Sequence, residues 1–146
     1  MFAAATKEGF PVLADTRNWN EAIAGNSVRI DPEWLATETG RDVATRFLKA
    51  SVEGVVLFHT RPELALDVLA RWHGIVDRDK ARSVYARGET FSRRPFPCYA
   101  GIRKTMELYD SNEMRRYQPQ DFDDSLIREL DDSGFIDELY AAAQAP

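Results

Sequence analysis

GRDVATRFLKASVEGVVLFH, Gly40 to His59, is the longest run in this chain with helical spacing and few breakers. Val43, Phe47, Ala50, Gly54 and Phe58 fall three or four residues apart on one face, while Leu48, Val52, Val55 and Val56 widen that face toward the C-terminal half. A helix apolar over so much of its girth is covered on more than one side. Arg41, Asp42, Arg46, Lys49 and Glu53 crowd the first half. That places the first half near solvent and the second half, through Leu57, deep in the protein.

Upstream, Asp31 is a good N-cap and Pro32 suits the first helical position, so a short helix carries Trp34 and Leu35 to about Thr39, and Gly40 separates it from the central helix. Before it, Phe10-Pro11-Val12-Leu13-Ala14 closes at Asp15, and Ser27-Val28-Arg29-Ile30 closes at Asp31-Pro32. Each reads as a short strand. Residues 16–26 between them, rich in Asn and Gly around Trp19, read as an irregular loop.

Downstream, Pro62 opens a second long helix in which Leu64, Ala65, Val68, Leu69 and Trp72 repeat at helical spacing until His73-Gly74 ends it. The two long helices form a hairpin. Asp77 caps a third helix, with Ala81, Val84 and Tyr85 on its apolar side, that stops near Gly88. Pro95 and Pro97 keep residues 92–98 extended, since each proline lacks a donor and restrains its predecessor. A helix from about Ala100 places Ile102, Met106 and Tyr109 on one face, and a polar linker with Tyr117 and Pro119 follows. The tail reads as two short helices joined at Gly134.

A length of 146 residues with 44% hydrophobic and 11% aromatic side chains suits one domain with a real core. The net charge of -5 argues against nucleic acid as a partner, since phosphate binding needs a basic field. No apolar run approaches the roughly 20 residues that cross a bilayer. Met1 to Lys7 lack the basic stretch and apolar segment of an export signal. The lone Cys98 cannot form an internal disulfide, and with His59 and His73 it has no metal-ligand spacing. Neither a metal nor a cofactor is expected.

The tail and the order of elements before it resemble the C-terminal part of solute-binding proteins of nitrate, sulfonate and taurine type ABC importers, a branch of the type II periplasmic binding protein fold. The residues that carry the resemblance are Gln118-Pro119-Gln120-Asp121-Phe122, then Leu126 to Leu130, then Ser133-Gly134-Phe135-Ile136-Asp137-Glu138-Leu139-Tyr140. The hairpin from Val43 to Trp72, with a proline opening its second helix, is similar too, as is the proline loop before the helix start from Pro95 to Ile102. Val12 to Ile30 look like the family's crossing back from its second lobe. The resemblance implies an α/β fold, mostly helical with two short strands near the N-terminus, as a partial domain spanning residues 1–146. It implies a periplasmic, non-enzymatic component that takes a small-molecule ligand, such as a sulfonate, taurine, nitrate or a pyrimidine precursor, and presents it to an ABC permease.

Under this reading the ligand-binding candidates are Asn18, Trp19, Asn26 and Ser27, whose amide, hydroxyl and indole groups suit an oxyanion or heterocycle. Arg94 joins them: beside Arg93 and ahead of Pro95-Phe96-Pro97, its guanidinium can bind a sulfonate or carboxylate bidentately, although a solvated basic pair is commoner. Arg115-Arg116 has the same two readings. Asp123-Asp124 and Asp131-Asp132 read as caps and solvated faces, and His59 and His73 as helix-end residues beside the last carbonyls. Two alternatives compete. One is the iron-dependent pyrimidine-precursor synthase that shares this fold, whose cysteine-rich motif is missing here. The other is a truncated helical module that self-associates through apolar surface, giving a homo-oligomer.

Overall fold

A computed structural model of the chain describes residues 6, 8–11, 13, 28–88, 91–109, 111–112, 114–118 and 121–144. It separates into two compact units, Met1–Asn26 with Cys98–Pro119 and Ser27–Pro97 with Gln120–Pro146. In chain order the second unit holds α1 (Pro32–Leu35), α2 (Glu38–Thr60), α3 (Pro62–His73) and α4 (Arg78–Gly88), and later α6 (Ser125–Asp132) and α7 (Phe135–Gln144). The first unit holds α5 (Tyr99–Leu108) and a 3-10 turn, Met114–Arg116. In α5, Gly101 and Ile102 are buried and Met106 half-buried, while Tyr109 ends the helix in the open.

The described residues are helical with no strand among them, which corrects the α/β expectation. Val28, Arg29 and Ile30 form no regular structure, Val28 is 70% exposed, and Leu13 in the other proposed strand is 94% exposed. An apolar run this short is stable as a strand only when neighbours complete its hydrogen bonds and cover one face. None does so among the described residues. Val12, Ala14 and Ser27, also assigned to those strands, lie outside the described residues.

Local signals place the helix ends. Asp31 Oδ1 accepts from the backbone N–H of Glu33 at 2.8 Å and of Trp34 at 3.3 Å, with Pro32 in the first turn. Asp77 Oδ1 does the same for Asp79 and Lys80, both at 2.9 Å. Gly74, at φ 66°, ends α3, and the Ile75 N–H reaches back to the Leu69 carbonyl at 3.1 Å. Gly134, at φ 81°, joins α6 to α7. Gly40 does not separate two helices as expected. It is the third residue of α2, because Thr37 is the stronger cap: its Oγ1 accepts from the Gly40 N–H at 3.0 Å and donates to the Trp34 carbonyl at 2.7 Å.

Which face of α2 is buried also differs from the expectation. The line turned inward is Gly40, Ala44, Leu48, Val52 and Val56, fully or partly covered, while Phe47 is 51% exposed and Val43, Ala50 and Gly54 face outward with it. Periodicity could not choose between two apolar faces, and tertiary contact did. α6 and α7 pack on the line of small and branched residues, so that Val52 and Val56 join Ile127, Leu130, Ile136 and Tyr140 in one core. Leu48, Phe96, Phe135, Leu139 and Ala143 close over it. α3 packs on α2 as the expected hairpin and α4 packs on α3. Here too the apolar side is only partly used, since Ala65 and Leu66 are buried but Trp72 is 73% exposed.

Gly54 sits mid-helix with nothing within 4 Å of an added Cβ. Gly54→Ala should therefore stabilise the chain by roughly 0.5 to 1 kcal/mol, the usual helix-interior difference between the two residues. Urea unfolding would show this as a higher midpoint at unchanged slope.

Candidate functional site

Four of the five ligand-binding candidates, Asn18, Trp19, Asn26 and Ser27, lie outside the described residues. The fifth, Arg94, is engaged within the chain. Its Nε donates to Asp131 Oδ1 at 2.7 Å, and its Nη2 to both Asp137 oxygens at 2.8 Å. The loop that carries it is fixed by a short turn in which Ser92 Oγ donates to the Arg94 carbonyl at 2.6 Å and accepts from the Arg94 N–H at 3.2 Å. The bidentate geometry expected for a bound anion is here turned on the chain's own carboxylates, one in α6 and one in α7. Asp131, expected as part of a solvated face, is one of the two anchors.

The hydrogen bond to Asp131, the charge of Asp131 and then that of Asp137 hold the Arg94 guanidinium above its ordinary pKa. A raised pKa favours the charged form in the folded state, so this contribution is complete below the ordinary guanidinium range and fades only above it. Arg94 thus adds no pH dependence between about pH 6 and pH 9. Salt is the better probe. Arg94→Leu should lower the thermal midpoint, and the difference from the parent chain should shrink between about 0.1 and about 1 M sodium chloride as exposed charges are screened. A difference that does not change with salt would mean that packing, not charge, is what the side chain contributes.

Beside this clamp is a polar concavity of about 330 Å³ lined by His59, Thr60, Phe91, Arg93, Tyr140 and Gln144. Tyr140 is its centre. The ring is buried in the core, the hydroxyl lies 2.7 Å from His59 Nδ1, and the Arg93 guanidinium carbon stands 4.0 Å from the ring centroid. His59 stands in the last turn of α2, as expected, and its side-chain partner is 81 positions away. His73 also stands at a helix end, before Gly74. Of the other carboxylates, Asp123 Oδ1 accepts from the Ser125 N–H at 2.8 Å and Asp124 pairs with Arg128 at 2.6 Å, at the start of α6.

A second, apolar groove of about 600 Å³ runs over α2, α3 and α4, with Leu57, Phe58, Leu64, Val68 and Val84 among its walls. Phe58 anchors it, its ring tilted against those of Tyr85 and Phe91 with centroids 4.6 and 5.4 Å away, and the Tyr85 hydroxyl donates to the Phe58 carbonyl at 3.0 Å. Among the described residues no three His, Cys, Asp or Glu side chains gather as a metal site, and no helix is long and apolar enough to cross a membrane.

Comparison with known proteins returned no matching family model, no matching curated protein and no matching solved structure.

Proposed function

We propose that this chain corresponds to the helical C-terminal portion of a solute-binding component of an ABC importer. It is a periplasmic, non-enzymatic protein that delivers a small organic ion or heterocycle to a permease. The proposal rests on the helical part of the chain and includes no sheet. The observation that carries it is that four of the tail residues behind the resemblance join the C-terminal pair and hold it on the hairpin and on the loop around Arg94. Gly134 supplies the left-handed turn, Ile136 is wholly buried, Asp137 takes Arg94, and Tyr140 reaches His59. The pattern thus marks a packing unit.

The test is calorimetric titration with taurine, an alkanesulfonate, nitrate and a hydroxymethylpyrimidine. It is run on residues 1–146 and on the longest product of the reading frame that contains them. With one cleft wall, each ligand hydrogen bond replaces one to water for a net gain of about 1 kcal/mol or less, against several kcal/mol lost on association. Residues 1–146 alone should give no saturable heat in the micromolar range, whereas a product with both walls should bind there. No binding by any product of the frame would overturn the reading.

The exposed Leu57, Leu64, Val68 and Trp72 favour a second reading, a module that self-associates through its hairpin. Sedimentation equilibrium distinguishes it, because a concentration-dependent dimer would form without solute.

A further inference from the structure

We infer that the concavity around Tyr140 is a binding site for a small oxyanion, such as a carboxylate, sulfonate or phosphate group. This inference does not rest on the transport reading or on its ligand candidates. Its basis is which polar groups converge there and what they lack. Arg93 has no carboxylate partner among the described residues, whereas the adjacent Arg94 is held by two aspartates. It is held instead against the face of Tyr140, 4.0 Å from the ring centroid, a contact that keeps the cation in place without using its N–H donors.

His59 is positioned by the same ring. With Nδ1 held by the Tyr140 hydroxyl at 2.7 Å, the nitrogen left for a ligand is Nε2. When the phenol donates to Nδ1, Nε2 carries the hydrogen and becomes a donor. Gln144, the last residue of α7, adds an amide with no partner among the described residues. Thr60 Oγ1 is turned back to the Val56 carbonyl at 2.7 Å and spends its hydrogen there. The set is therefore a guanidinium, an imidazole nitrogen and an amide.

The lining contains no Asp or Glu, in a chain with 24 acidic residues against 19 Lys and Arg. The geometry suits an anion because the guanidinium and the amide bring several N–H donors and because the positive group rests against the Tyr140 ring with those donors unused. Phe91, its ring tilted against that of Phe58, gives one apolar wall for a short organic substituent.

The test uses the two histidines as a built-in pair, since His59 lines the site and His73 does not. Inorganic sulfate is titrated into the whole chain at fixed pH and ionic strength, replacing chloride, and the imidazole resonances are followed by NMR. The expected result is a saturable shift at His59, with a dissociation constant on the order of 1 mM, and no saturable shift at His73. Arg93→Gln should weaken the effect about ten-fold, the scale of one charge-assisted hydrogen bond. Gln144→Ala, at an exposed helix end where folding is not at risk, should weaken it less but measurably. Equal and unsaturated shifts of both histidines would overturn the site, as would Arg93→Gln and Gln144→Ala both titrating like the parent chain. A negative solute titration would leave the sulfate result standing, so the two proposals fail separately.

Discussion

Gly40→Ala is expected to destabilise the chain by on the order of 3 kcal/mol, at the upper end of what overpacking costs. A Cβ at this position would overlap the Trp34 carbonyl oxygen, come within 2.7 Å of the Trp34 carbonyl carbon, and stand 3.1 Å from Thr37 Oγ1. Two of these are backbone atoms, which cannot rotate away as a side-chain tip can. Relief requires α1 to move off α2, which breaks the bonds that Thr37 makes to the Trp34 carbonyl through its Oγ1 at 2.7 Å and its N–H at 3.0 Å. Alanine's better helix propensity returns only about 1 kcal/mol. The clash therefore wins, in contrast to Gly54 on the same helix, where the propensity gain stands alone. Urea unfolding of the two variants should move in opposite directions, and a Gly40→Ala midpoint at or above that of the parent chain would refute the packing of α1 on α2.

The second large effect is at Ile136, which is 0% exposed and packed in one cluster with Val52, Val56, Ile127, Leu130 and Tyr140. Ile136→Ala should cost about 3 to 4 kcal/mol, the removed apolar transfer together with the cavity left behind. Against a total stability on the order of 5 to 15 kcal/mol, that is a large share. Leu139→Ala, on a half-buried neighbour, should cost roughly half as much, since less surface is uncovered. Equal losses at the two positions would place the centre of the core elsewhere.

How much of this was legible depended on the distance between partners. Asp31, Pro32, Pro62, Gly74, Asp77 and Gly134 were readable as starts and stops because each acts on backbone groups a few residues away. The buried side of α2 was not, since both of its candidate faces were apolar and the choice rests with α6 and α7, which lie far along the chain. The same holds for the site. Arg94 was singled out for its bidentate guanidinium, but its partners are 37 and 43 residues downstream. His59 carried no signal that Tyr140 would meet it. The strands failed for a related reason: Val28 and Ile30 alternate as strand residues should, yet alternation supplies no partner for the backbone.

The tail's grip on the hairpin has a consequence for the order in which the protein is made. Arg41 to Glu129, His59 to Tyr140 and the seating of Ile136 beside Val52 all join early residues to late ones. The hairpin leaves the ribosome long before α7 does, with Val52 and Val56 still uncovered. It must wait in that state until synthesis passes Tyr140, and contacts of such wide separation form slowly. During that interval the nascent chain presents its future core to the solvent, so the step most open to misassociation comes just before the last helix emerges.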